Sequence, residues 1–241
     1  MALTNLQIIT GISSILILIA YQIVGLLIIL KYRKFKDKTF IWWGIGILGV
    51  GLPWAGSGIS FLFIIITGKG LTEVPYFFIT LTWMAITLFF WMWTMTELMA
   101  KEKQKIILGI YAFVGIMFDL YLILNLITNP SAIGMLHTPP IDSTYIGLTM
   151  LYTLFVIAST SISLFIFIMK SFKSENPEVK LKAYFLLIAL ISQIFAGVAD
   201  AFIELTITTL IITRIIIISS AIEGYIGWVL PEPIKKLFIK K

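Results

Sequence analysis

Gly44, Gly46 and Gly49 in "GIGILG" match G-x-G-x-x-G, the spacing that lets backbone amides cradle a nucleotide's phosphates. That chemistry needs a strand before the glycines, a helix after them and an acid about 20 residues further on. Here the glycines sit inside one apolar run, and the next acid is Glu73, beyond its end. Helical spacing gives a different account. At about 100° per residue, Gly44, Gly51 and Gly58 share one face, while Gly46, Gly49, Pro53 and Gly56 group on nearly the opposite face. Small residues let backbones approach closely in lipid, so both faces are expected to pack on neighbours. Pro53 cannot donate to the carbonyl of Gly49, which predicts a kink. Trp54 beside it either packs there or lines a ligand pocket.

The second set of chemically capable residues is ionisable and lies within apolar runs: Glu97, Asp119, Asp200, Glu204, Arg214 and Glu223. Such groups are costly in a membrane and often mark function. Glu97 can pair with Lys101 at i,i+4. Gln193, Gly197, Asp200 and Glu204 form one polar stripe, and Arg214 returns opposite it, so an ion pair between Asp200 and Arg214 is expected. Tyr145, Thr149, Tyr152, Thr153, Thr160 and Ser163 make a hydroxyl stripe, with Thr153 near the depth of Asp119. Asp119, Asp200 and Glu204 face a single arginine. At least one carboxyl is therefore expected to be protonated, solvated or matched by an incoming cation. Two readings stay open: a polar network that fixes helix register, or an outward pocket for a ligand or proton, formed by the fourth to seventh helices. His137, in a loop, is expected to be exposed.

Several chemistries are excluded. One histidine and no cysteine rule out a bis-histidine haem and multi-histidine metal sites, so no metal or cofactor is expected. Ser57 has no base nearby in its helix, no lysine within an apolar run offers a Schiff base, and no acid pair suits magnesium pyrophosphate. An enzyme is not expected.

The elements that must position these residues follow from hydropathy. A composition 59% hydrophobic and 12% charged, with mean hydropathy +1.03, describes an integral membrane protein. A span needs roughly 20 apolar residues. Seven such runs lie near 4–30, 39–66, 75–99, 106–128, 143–169, 183–205 and 209–230, which predicts an all-α bundle of seven transmembrane helices in one domain. Sixteen of the eighteen basic residues fall in alternate connections: 31–38, 101–105, 170–182 and 231–241. Positive charge gathers on the cytoplasmic side, so the N-terminus is expected outside and the C-terminus inside. Anionic lipid headgroups at the inner face are the expected partner of the net charge of +6, and no nucleic acid is needed. Trp42, Trp43, Trp91, Trp93 and Trp228 are expected in an inner aromatic belt, with Tyr76 and Tyr145 in an outer one. "MALTNLQ" lacks a basic leader, so the first run reads as a retained helix. Isoleucine at nearly a fifth of the chain fits a prokaryote with an AT-rich genome.

Seven helices with these termini are shared by several families. The third run ends "TELMAKEK" without the acidic-Arg-aromatic triplet of animal G-protein-coupled receptors, and the seventh lacks N-P-x-x-Y. Small seven-helix sugar transporters carry prolines in both repeats, whereas here only the second run has an internal one. The layout, ending "GYIGWVLPEPIKKLF", resembles the seven-helix sensor modules of prokaryotic membrane histidine kinases. That resemblance implies sensing and a cytoplasmic signalling partner. A proton- or cation-coupled transporter and a non-catalytic scaffold are the alternatives.

Overall fold

The computed structural model describes residues 3–202 and 206–239, with 200–202 described by their backbone alone. It is 84% helical and all-α. Among the described residues, seven helical stretches are long and apolar enough to cross a membrane: Asn5–Phe35, Thr39–Thr67, Glu73–Met99, Lys101–Thr128, Gly147–Phe172, Pro177–Ala199 and Ile207–Val229. By internal packing the chain divides into two compact units, Met1–Ser159 and Thr160–Lys241.

In the first unit, α1 (Asn5–Phe35) opens on a capping box between Thr4 and Gln7. It ends at Lys36 in the left-handed conformation. The second apolar run is interrupted. Helix α2 (Thr39–Val50) gives way to a 3-10 turn at Leu52–Trp54, and α3 (Ala55–Thr67) resumes beyond it. The break sits at Pro53, which has no N–H to donate. Across the break, Gln22 of α1 donates its side-chain amide to the carbonyl of Leu48 at 2.9 Å. A side chain thereby satisfies backbone that an uninterrupted helix would satisfy itself.

The third run corrects the expectation of one unbroken helix over 75–99. It consists of α4 (Glu73–Leu81) and α5 (Met84–Met99), separated at Thr82–Trp83 with neither proline nor glycine present. Thr80 and Thr82 each donate to a carbonyl four residues back, Tyr76 and Phe78, both at 2.7 Å. Such back-bonding competes with the helical ladder and bends helices. Helix α6 (Gln104–Thr128) is continuous. The connection after it is more ordered than a loop: a 3-10 turn at Pro130–Ala132 leads into an antiparallel hairpin of β1 (Gly134–Leu136) and β2 (Ser143–Tyr145), with Met135 opposite Thr144. The fifth helix therefore starts at Gly147, as α7 (Gly147–Phe172), four residues later than the hydropathy edge at 143.

The hairpin is fastened to the first unit's core. Ile133 and Ile141 are buried, Ile141 with Phe61 and Ile64, and Ile133 with Phe77, Leu122 and Leu126. Burying such side chains stabilises by roughly 1.5–3 kcal/mol each.

The second unit is built on α8 (Pro177–Phe202) and α9 (Ile207–Val229). Asn176 caps α8 by accepting from the Glu178 amide at 2.9 Å. The Thr206–Thr209 pair caps α9. Gly227 lets α9 approach α8 closely, since a Cβ there would stand 2.8 Å from the backbone nitrogen of Leu186. After Leu230, in the left-handed region, Pro231 starts α10 (Glu232–Phe238).

Candidate functional site

The two glycine faces of the second span meet different neighbours. On one face, a Cβ at Gly44 would meet Ile29 and the Gly25 carbonyl, one at Gly51 would stand 2.6 Å from Tyr21, and one at Gly58 3.1 Å from Ile15, all of α1. On the other, Gly46 lies against the Trp91 backbone at 3.6 Å, Gly49 against the Thr87 side chain, and Gly56 against Thr80 and the Tyr76 carbonyl, all of α4 and α5. Hydroxyls along this second seam have partners. Ser57 and Tyr76, both buried, share a hydrogen bond of 2.8 Å. Thr80 and Thr87 bond back to Tyr76 and Trp83, each at 2.7 Å. Pro53 and Trp54 stand at the break, with Trp54 half-buried.

Four residues expected in the aromatic belts are buried in the protein instead. Trp43, Trp91 and Trp228 are 1%, 6% and 9% exposed, and so is Tyr76 at 1%. Trp43 and Trp91 pack ring to ring at 4.4 Å between α2 and α5. Their large rings fill the space that the glycines leave open.

A different situation holds where α6 meets the start of α7. Asp119 stands on α6, roughly 14 Å along the axis from its hairpin end at Thr128. Its Oδ1 is buried and has no hydrogen-bond partner among the described residues. Tyr152 of α7 is 5% exposed and lies flat on Phe118, with ring centroids 3.8 Å apart and 9° between planes. Its hydroxyl, also unpartnered, reaches to 3.7 Å from where a Cβ of Gly115 would stand. Gly115 is one turn from Asp119 on the same face of α6. Phe118, on which the phenol ring stacks, directly precedes Asp119 in α6. One turn before Tyr152, the side chain of Thr149 is fully buried with its Oγ1 unpartnered. The structure thus brings Asp119 and Tyr152 together. It does not add Thr153, whose hydroxyl donates to its own helix at the Thr149 carbonyl, 2.8 Å away.

Orphaned buried polar groups are rare because each costs about 1–3 kcal/mol, which sets these three apart from the bonded hydroxyls of the seam. The donor set is one carboxyl and two hydroxyls, all oxygen. It suits a proton or a hard cation of low charge rather than a soft metal. Among the described residues, no three acidic, histidine or cysteine side chains are placed to hold a metal ion.

Over the first unit, His137 of the hairpin is exposed, bonds Thr144 at 3.0 Å and lies 3.5 Å from the Asp142 carboxylate. Tyr145, half-buried against Phe77, has its hydroxyl pushed well above the usual phenol range by burial. An open depression beside the hairpin is lined by Glu73, His137 and their neighbours; it includes neither Asp119 nor Trp54.

In the second unit, Gln193 accepts from Ser220 at 2.8 Å, tying α8 to α9, and Arg214 is buried on α9. Glu204 and the side chain of Asp200 lie outside the described residues, and with them the expected ion pair. Glu223 buries one carboxyl oxygen that has no partner among the described residues, as Ser14 does its hydroxyl in the first unit. Each stands apart from the Asp119 cluster in sequence. Glu97 pairs with Lys101.

Sequence reasoning missed Gln22 and Gly115. Gln22 carried a signal, since it is the one amide of the first apolar run beyond its first turn, while Gly115 carried none. Compared with protein-family models and with curated proteins, the chain matches none.

Proposed function

We propose that this chain is a multi-pass membrane protein, N-terminus outside and C-terminus in the cytoplasm, that senses a single positive charge. A proton or small monovalent cation is received at Asp119, Tyr152 and Thr149, and the change is handed to a cytoplasmic signalling partner. One observation carries the reading: the unpartnered, buried oxygens of these three residues on adjoining turns of α6 and α7. The segregation of basic residues into alternate connections supports the orientation. Sensing is favoured over transport because α6 carries no carboxylate or base from Ile106 to Phe118, which leaves the cluster without a polar path onward. In the same reading Gln193 ties α8 to α9 through Ser220.

Affinity capture from native membranes tests the proposal. A cytoplasmic signalling protein should co-purify, its yield should change with pH or sodium, and truncation after Pro231 should release it. Asp119→Asn should remove the dependence on pH and sodium while leaving the protein folded. A cation flux in liposomes that Asp119→Asn abolishes would overturn sensing in favour of transport.

A further inference from the structure

We propose that α10 lies in the membrane–water interface at the basic end of the second unit and recognises anionic lipid headgroups. The inference rests on the membrane-spanning reading above. Around α10, at about 100° per residue, Pro233, Ile234, Leu237 and Phe238 occupy one arc and Glu232, Lys235 and Lys236 the other. An apolar face on a lysine-bearing helix is the pattern of helices that lie in an interface. The apolar face is uncovered by protein: Leu237 is 72% exposed and Phe238 58%.

The helix is held at the right level by α8. Lys235 forms an ion pair with Glu178, in the first turn of α8, and Phe238 meets Phe185 edge to face at 5.9 Å. Helix α10 also begins three residues after the end of the last apolar span. It therefore cannot leave the plane in which that span ends. With Lys235 committed to Glu178, Lys236 stays exposed, as do Lys173 and Lys180 near the same end. These free ammonium groups complement phosphate headgroups in charge, and a polybasic segment beside a span is attracted to anionic lipid.

The absence of cysteine makes the test clean. Leu237→Cys, carrying an environment-sensitive fluorophore, is compared in nanodiscs of phosphatidylcholine alone and of phosphatidylcholine with phosphatidylglycerol. Emission should shift to the blue and become quenchable by lipid-borne nitroxide when phosphatidylglycerol is present. Lys236→Gln should lower that embedded population about fivefold, the effect of one lysine at an anionic surface. A label that stays in water in both discs overturns the proposal, and a label equally embedded in both overturns recognition of the anionic headgroup. A second label at Leu154→Cys, on the exposed face of α7, should report lipid in both discs. If it reports water, the membrane-spanning reading itself fails.

Discussion

The seam between the second and third spans and the cluster where α6 meets α7 both hold buried polar atoms, yet they are finished differently. Along the seam, Ser57 has Tyr76, Thr80 and Thr87 have carbonyls of their own helix, and the Leu48 carbonyl has Gln22. In the cluster, Asp119, Thr149 and Tyr152 each hide an oxygen that bonds nothing described. Satisfied hydroxyls beside glycines let backbones close up, and that is their whole use. Unsatisfied ones cost stability, and each calls for an explanation. The contrast separates residues that build the bundle from residues for which we propose an occupant.

Substitution should expose that difference in sign as well as size. The largest effect is expected at the seam's glycines. Gly56→Val would drive branched carbons into Thr80 and the Tyr76 backbone, which does not yield. Unfolding in mixed micelles should show a loss of about 1–3 kcal/mol or more. Gln22→Leu comes next, because it strands the Leu48 carbonyl in an apolar setting; a loss of about 1–3 kcal/mol is expected in the same assay. Tyr76→Phe should cost about 1 kcal/mol, since Ser57 loses its partner. Tyr152→Phe makes the same chemical change in the cluster and should be neutral or slightly stabilising, within about 0.5 kcal/mol, because it removes an orphan. If Tyr152→Phe destabilises as much as Tyr76→Phe, the cluster is structural and the contrast fails.

How much of this was legible depended on whether the signal was local. The seven apolar stretches were readable because hydropathy is a property of each window. Their ends were not, since helices run past the last apolar residue on charged side chains, as α1 does to Phe35 and α8 does from Pro177. The break at Pro53 is written in one residue, whereas that at Thr82–Trp83 depends on which way threonine hydroxyls turn. Strands of three residues are too short for alternation to declare them, so the hairpin read as loop. Trp43 and Trp91 were placed in a belt because a tryptophan near a helix end suits an interface and a core equally. The glycine faces followed from angular spacing alone, but which helix each face meets did not. The cluster was half legible: Asp119 and Tyr152 stand out as polar residues in apolar runs, while Gly115, beside the phenol hydroxyl, looks like any other glycine.

The central claim is that the unpartnered oxygens at Asp119 and Tyr152 await a single positive charge. A thermal-unfolding series of the purified protein in sodium, potassium and choline salts, each at several pH values, tests it most directly. Binding to the folded state alone raises the midpoint by mass action. The account predicts that lowering the pH or adding one of the alkali cations raises the midpoint of the native protein. It predicts no such rise in Asp119→Asn, which should unfold at a similar temperature in every condition. A midpoint that ignores pH and cation in the native protein, or that responds equally in Asp119→Asn, would contradict it.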